Sequence, residues 1–264
     1  MTKPSIEQLA AMSPKEFREL CRRGGWSDYT IGVCRNYAQN NLAIVPMEYA
    51  HSFSVFCQRN PRPCPVVDVT EAGSPTPTLV ASDADLRTDL PRYRVFVDGD
   101  PIDEPTDVVK YWRDDLVAFL IGCSLTIEWA LKAANVPFRL LGAYESNIPC
   151  VPAGPFKGRM VVSCRAFSRP QDAVRAIQIS SRYLASHGPP IHIGDPAAIG
   201  IHDLRNALSP ADARPGDESE ILLWWGCGIT PQLTAQDARL PIFITHKGSH
   251  MFVNDLTVEE TANL

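Results

Sequence analysis

Two cysteines occur in the same local setting, between small residues where an apolar run gives way to a helical pattern. They are Cys123 in Gly-Cys-Ser and Cys227 in Gly-Cys-Gly. Glycine allows a sharp turn and a close approach of the backbone to a ligand. A helix that begins after such a turn offers free amides to an anion and lowers the pKa of a nearby thiol. The pattern predicts a catalytic thiolate at each position, although a buried, inert cysteine is the alternative.

Polar residues that follow the two cysteines suit an anionic substrate. Gly228, Thr230 and Gln232 open the predicted helix after Cys227, and Ser124 opens the one after Cys123. Because the first amides of a helix attract negative charge, we expect these four residues to bind substrate.

Three further residues could act on a small acid. Glu128 lies in the most apolar segment, about one helical turn after Ser124, where a buried carboxylate suits a general acid or base. Pairing with an arginine for structural reasons is the alternative. Arg165 follows an apolar strand pattern and is expected to bind a substrate carboxylate. Asn41 is expected to bind substrate, with turn and capping chemistry as the alternative for both.

Histidines and an aspartate cluster in two short segments, His192 and Asp195 in "IHIGDP" and His246 and His250 in "THKGSH". We assign acid–base roles to the first three, and substrate binding to His250. No cofactor is predicted, although the four side chains would also suit a divalent metal held by histidines and a carboxylate. Solvated polar turns are the simpler alternative. Three other histidines are expected at ordinary surface or helix-end positions: His51, His187 and His202.

The composition is that of a globular protein. Of 264 residues, 45% are hydrophobic and 21% are charged, and the net charge is −5. Without a basic stripe, nucleic acid is not an expected partner. Without a signal-peptide pattern or a long apolar run, we expect a cytoplasmic protein that does not contact membranes, with its eight cysteines as free thiols. A homo-oligomer is left open.

The predicted strands and helices alternate most clearly after residue 158, which indicates the α/β class. Before that point, a helix is predicted within 115–134, with a break or start at 122–124. Ligands of α/β proteins bind beyond the ends of strands. We therefore expect four segments to meet at one pocket: 122–128, 192–196, 226–232 and 245–250.

A set of sequence blocks resembles the D-glutamate cyclase family, which includes bacterial proteins called hydro-lyases or YcsI-like proteins. In chain order the blocks are "RNYAQNNLAIVP", "FCQRNPRPCPV", "DLVAFLIGCSLTIEWAL", "PAGPFKGRMVVSCRAF", "HGPPIHIGDPAAIGI", "WWGCGITPQ" and "THKGSHMFVND". The resemblance implies an α/β fold, with a three-layer main domain around a mixed sheet (1–135 and 196–264) and a smaller two-layer α/β domain (136–195). It also implies ring closure of D-glutamate to 5-oxo-D-proline with loss of water.

Three functions remain open at this point. The leading one is a carbon–oxygen lyase, a hydro-lyase acting on a small amino or hydroxy acid. A racemase or isomerase that uses Cys123 and Cys227 as a thiol pair is the first alternative. A non-catalytic protein that binds a small carboxylate is the second.

Overall fold

Within residues 4–209 and 219–263, which the computed structural model describes, the chain forms two β-sheets and six α-helices. The strands are β1 (Tyr37–Pro46), β2 (Val66–Val69), β3 (Tyr93–Val97), β4 (Asp100–Asp103), β5 (Leu116–Gly122), β6 (Arg139–Pro149), β7 (Arg159–Phe167), β8 (His192–Ile193), β9 (Ile221–Gly226), β10 (Phe243–His246) and β11 (Phe252–Thr257). The helices are α1 (Ile6–Ala11), α2 (Pro14–Arg22), α3 (Met47–Arg59), α4 (Leu125–Ala133), α5 (Pro170–Ser180) and α6 (Ile229–Asp237). None of these helices is long and apolar enough to cross a lipid bilayer.

The α/β class is confirmed, and the direction of the strands refines it. The larger sheet has the order β2-β5-β1-β10-β3-β4, with β11 also paired to β1, and the smaller sheet has the order β6-β7-β9-β8. Every pairing between the described strands is antiparallel, where a mixed sheet was expected. The physical reason is that α4 connects β5 of the larger sheet to β6 of the smaller one, and α6 leads back from β9 to β10. Strand and helix therefore alternate along the chain without placing parallel neighbours side by side.

The segment predicted as a helix within 115–134 is half strand and half helix. Leu116–Gly122 is strand β5, buried along its whole length between β1 and β2, and helix α4 begins at Leu125. A continuous apolar run is compatible with either a buried strand or a buried helix, so periodicity alone could not separate them. The break expected at 122–124 is present, and it is the point at which the strand ends.

The larger sheet is buried on both faces, as a middle layer requires. Along β1, Ala43 and Val45 pack into one hydrophobic cluster, which also contains Phe53 of α3. Leu42 and Ile44 pack into another cluster on the opposite face. Successive side chains of a strand point to opposite faces, so this alternation fixes the register of β1.

The smaller sheet carries a hydrophobic cluster of its own. Phe167 and Trp225 of the sheet pack with Ile127 of α4 and Ala173 of α5. The sheet takes in β9 as well as β6, β7 and β8. The assignment of 136–195 to a smaller domain stays a prediction.

Candidate active site where the two sheets meet

A cavity that is partly open to solvent is lined by residues of both sheets. It brings together the turns that follow β5, β9 and β10, and residues of β1, β6 and β7 complete its walls. Seven predicted site residues line it: Asn41, Cys123, Ser124, Arg165, Cys227, Gly228 and His246. Three of the four segments expected to converge therefore do so.

The fourth segment, 192–196, does not line the cavity. His192 lies on the two-residue edge strand β8, opposite Trp224, and its Nε2 atom is 2.8 Å from the backbone oxygen of Asp195. The Asp195 carboxylate accepts a hydrogen bond from the Ala197 amide at 2.9 Å, so it caps a short turn. An edge strand of the smaller sheet holds both residues away from the turns after β5 and β9.

Four other predicted site residues also lie outside the walls of the cavity: Glu128, Thr230, Gln232 and His250. The Thr230 hydroxyl accepts a hydrogen bond from the Val161 amide at 2.9 Å, which ties α6 to β7. Gln232 contacts the His246 ring at 3.4 Å. Gln232 therefore contacts a cavity residue without lining the cavity itself.

The four residues considered as metal ligands do not come together. His246 lines the cavity, whereas His250 packs against the Tyr29 ring, and its Nδ1 lies 2.7 Å from the Gly248 carbonyl oxygen. His192 and Asp195 lie on the edge of the smaller sheet. Within 4–209 and 219–263, no group of three or more His, Cys, Asp or Glu side chains is placed to share a metal ion.

The glycines around Cys227 are explained by close packing against other parts of the chain. A Cβ atom on Gly226 would lie 2.7 Å from the Arg62 carbonyl oxygen, and one on Gly228 would lie 2.0 Å from Asn41 Nδ2. Gly228 has a φ of −67°, so the turn does not require the left-handed conformation there. The predicted close approach to the backbone is present, but the groups that approach it belong to Arg62 and Asn41 of the protein itself.

Both cavity cysteines are neutral thiols at neutral pH, which corrects the predicted thiolates. Burial raises the pKa of Cys123 to about 12, although the Leu125 amide beside its sulfur has the opposite effect. Burial also raises the pKa of Cys227, against smaller lowering effects from the Ile229 amide and the Arg165 charge. Removal of a thiolate from water therefore outweighs the attraction of the helix amides. All eight cysteines are free thiols.

Arg165 is the cationic group of the cavity, and it is fully buried. Its Nη2 atom donates to Glu128 Oε1 at 2.7 Å and to Ser124 Oγ at 3.1 Å, and its Nη1 atom donates to Ser163 Oγ at 3.2 Å. Its guanidinium also stacks over the Trp225 ring, 5.4 Å from the ring centroid. Glu128 is therefore the counter-ion of Arg165, which is the structural alternative considered for it. Among the described residues, Arg165 Nε has no hydrogen-bond partner.

His246 is a neutral imidazole whose tautomer is fixed by the backbone. The ring is 2% exposed, and the Leu42 amide donates to its Nδ1 atom at 3.1 Å. A ring nitrogen that accepts a hydrogen bond carries no proton, so the single proton is on Nε2. Burial lowers the pKa of His246 to about 3. The ring therefore suits a hydrogen-bond donor to the substrate better than a base.

The cavity residues that were not predicted from the sequence include Ser163 and His187. Ser163 lies on β7 two residues before Arg165, and strand alternation places both side chains on one face. His187 was expected at an ordinary helix-end position, but it is buried and lines the cavity. Nothing in its neighbouring residues marks it as buried.

An α/β protein with a cavity that holds buried charged, thiol and imidazole groups is typical of enzymes that act on small molecules. Residues 117–255 match the model of the D-glutamate cyclase family. The chain is 48% identical over 259 residues to the "Putative hydro-lyase" of Geobacillus kaustophilus (strain HTA426), covering 95% of this chain and 97% of the relative. It is 46% identical over 261 residues to that of Rhodopseudomonas palustris (strain HaA2), covering 97% and 95%. The chain belongs to the D-glutamate cyclase family.

Similarity to a solved structure is distant. A nitrogen repressor-like protein from Methanococcus jannaschii aligns with 94% of this chain and 99% of its own at 10% identity, with a TM-score of 0.38. That similarity is too low to bear on fold or function.

Proposed function

We propose that the protein is a carbon–oxygen lyase of the hydro-lyase class that converts D-glutamate to 5-oxo-D-proline and water. The observation that carries the proposal is the buried Arg165 in the wall of the cavity, with its Nε–H left without an acceptor among the described residues. In a protein with a net charge of −5, an anionic substrate needs directed N–H donors of this kind, because Glu128 already balances the charge of Arg165. The family description and the hydro-lyase names of the relatives agree with this substrate and this class.

The reaction needs bond changes at two ends of the substrate. The amine nitrogen attacks the side-chain carboxyl carbon, a C–N bond forms, and one C–O bond breaks. Two of the three ammonium protons leave with that oxygen as water, so no proton is gained or lost overall. The site must therefore hold the amine near the carboxyl carbon, stabilise the charge that develops on oxygen and carry protons between the two ends.

The cavity has groups for the first two tasks. Arg165 binds the substrate's α-carboxylate through its free N–H, and the neighbouring Ser124 and Ser163 hydroxyls add polar contacts. His246 donates its Nε2 proton in a hydrogen bond to the side-chain carboxyl oxygen, where negative charge accumulates in the transition state. A donor with a fixed tautomer is already oriented before the reaction begins, which is the condition for electrostatic stabilisation.

Incubation with D- and L-glutamate, followed by chiral chromatography of 5-oxoproline, tests the proposal. We expect 5-oxo-D-proline from D-glutamate. Arg165→Lys should lower kcat/KM by about 10- to 100-fold, because lysine does not reproduce the planar guanidinium. Arg169→Lys is the matched control, since the Arg169 side chain is exposed and pairs with Asp172. Failure to form 5-oxo-D-proline above the rate in buffer would refute the proposed reaction.

A second candidate function rests on a separate observation, that Cys123 and Cys227 line the same cavity. Two thiols that face the α-carbon of a bound acid can exchange its proton and invert the centre. Incubation of glutamate in D2O distinguishes the two functions, because an isomerase incorporates deuterium at Cα and lactam formation does not. Binding of glutamate with neither outcome would indicate a binding protein.

A further inference from the structure

His187 combines burial with an unsatisfied ring nitrogen. The residue is 1% exposed and lines the same cavity as Arg165 and His246. Within the described residues, its Nε2 atom makes no hydrogen bond of ordinary geometry, and the Gly122 carbonyl acts on the ring only weakly. A buried polar atom without a partner destabilises a fold, so such atoms are few and call for a functional explanation.

The tautomer of His187 is fixed by a backbone carbonyl. Its Nδ1 atom lies 2.7 Å from the Arg62 carbonyl oxygen. A carbonyl only accepts hydrogen bonds, so Nδ1 carries the proton and Nε2 keeps its lone pair. Arg62 also donates from Nη1 to the His187 carbonyl at 3.2 Å, which holds the turn from both directions. The free lone pair is therefore that of a base, in a ring that cannot easily rotate.

The backbone around His187 is held in an unusual conformation. His187 has a φ of +78°, in the left-handed region that non-glycine residues seldom adopt. The preceding residues pack directly on the end of β5, where a Cβ atom at Gly122 would lie only 1.6 Å from the Ala185 carbonyl oxygen. The glycine before Cys123 thus allows the turn to approach the cavity. Backbone strain of this kind persists where the surrounding structure enforces it, and it is frequent at active sites.

The two cavity histidines have opposite tautomers. His246 receives a hydrogen bond from the Leu42 amide on Nδ1 and offers Nε2–H, whereas His187 donates from Nδ1 and offers a lone pair on Nε2. Glu128 is held by Arg165 and is not free to act as a base. We propose that His187 is the general base of the site, an assignment that rests on the proposed function: its Nε2 takes a proton from the substrate ammonium and delivers it to the departing oxygen.

Two proton transfers through one nitrogen balance the reaction. His187 Nε2 removes the first ammonium proton, the amine lone pair becomes free, and the side-chain carboxylate receives that proton. The nitrogen then attacks the carboxyl carbon, the C–N bond forms, and the π electron pair of the C=O bond moves onto its oxygen. His187 removes a second proton from the attached nitrogen and passes it to the hydroxyl group. The C=O bond re-forms, the C–O bond to the protonated hydroxyl breaks, and water leaves. The ring returns to its neutral state.

The charges around His187 keep the ring neutral in the free protein. Burial lowers the pKa of His187 to about 4. The Arg62 carbonyl raises this pKa, the positive charges of Arg165 and Arg62 lower it further, and the Gly122 carbonyl raises it slightly. The thiols of Cys123 and Cys227 in the same cavity are neutral at pH 7. A bound dicarboxylate substrate brings negative charge into the cavity and raises the pKa of the ring toward neutrality, which favours proton uptake.

His187→Asn tests the assignment with little change in structure. Asparagine tolerates a positive φ, and its amide can donate to the Arg62 carbonyl, but it has no basic nitrogen. We expect kcat to fall by about 10²- to 10⁴-fold, while the Kd for 5-oxo-D-proline changes by less than about threefold. His192→Asn is the matched control, because His192 lies outside the cavity. Added imidazole should restore activity to His187→Gly, which a merely structural role would not allow.

Retention of more than about a tenth of kcat by His187→Asn, or no rescue of His187→Gly by imidazole, would overturn the assignment. NMR of the ¹⁵N-histidine-labelled protein provides an arm that does not depend on the substrate. We expect a protonated Nδ1 and an unprotonated Nε2 for His187. The ¹⁵N signals of this ring are assigned by their absence from the spectrum of His187→Asn. A proton on Nε2 would refute the base assignment whatever the substrate. Absence of D-glutamate turnover in the wild type would refute the proposed reaction instead, and the tautomer would still decide the assignment of His187.

Discussion

Two buried histidines are expected to make the stability of this protein depend on pH above the range in which carboxylates titrate. The folded-state pKa is about 4 for His187 and about 3 for His246, against 6.5 for the free side chain. Below pH 6.5 the unfolded chain binds protons that the folded protein does not accept. The stabilisation is therefore fully present above the unfolded pKa and is lost as the pH falls toward the folded values.

The size of the effect follows from the distance below the unfolded pKa. One pKa unit corresponds to about 1.4 kcal/mol, so at pH 5 each histidine lowers the free energy of unfolding by about 2 kcal/mol, and the two together by about 4 kcal/mol. His250, whose pKa burial also lowers, adds to the loss in the same direction. Against a typical total stability of about 5–15 kcal/mol, the loss is large enough to measure.

Denaturant unfolding at about pH 7.5 and about pH 5 measures the difference directly. His187→Asn and His246→Asn should each lose about 2 kcal/mol less than the wild type between the two pH values. His51→Asn, a change at an exposed position of α3, is the control and should show the wild-type difference. An equal free energy of unfolding of the wild type at both pH values would show that these two rings are not buried and neutral.

Three further outcomes are expected. Gly228→Ala should reduce activity more than about tenfold and lower the melting temperature, because its Cβ would displace the buried Asn41 amide from the Gly122 carbonyl; full activity would mean that the displaced amide has no role. Cys227→Ser should keep most of the lactam-forming activity, since the thiol is neutral, whereas a loss of about a hundredfold would favour the two-thiol isomerase. Glu128→Ala should lower the free energy of unfolding by about 3–5 kcal/mol in denaturant titrations, because Arg165 is left buried without its counter-ion; a change below about 1 kcal/mol would contradict the buried pair.

Local patterns in the sequence predicted much of the framework. The strand around Arg165 and the helix after Cys227 follow from periodicity and turn residues over short windows. The same patterns placed Cys123 and Cys227 at equivalent strand ends, and both line one cavity. The strand Leu116–Gly122 was missed because its apolar run has no period, and only its pairing with β1 and β2 decides its conformation.

The electrostatics of the site could not be predicted from local sequence. The helix after each cysteine suggested a lowered thiol pKa, but burial by distant parts of the chain reverses the shift. Glu128 is paired with an arginine 37 positions away, and the tautomer of His187 depends on a carbonyl 125 positions away. Contacts of this range leave no trace in the spacing of neighbouring residues, which is why His187 was mistaken for an ordinary helix-end residue.

The two strand–glycine–cysteine–helix units explain why the cavity forms where it does. β5 and α4 lead the chain from the larger sheet to the smaller one, and β9 and α6 lead it back. The glycine in each unit admits backbone from elsewhere, Ala185 at Gly122 and Arg62 at Gly226. Arg62 in turn orients His187, so the packing that closes the junction also sets the tautomer of the proposed base. Arg165 lies on the smaller sheet and His246 on the larger one, so a substrate can contact both only where the two sheets meet. The packing of one sheet against the other is therefore a condition for the proposed activity.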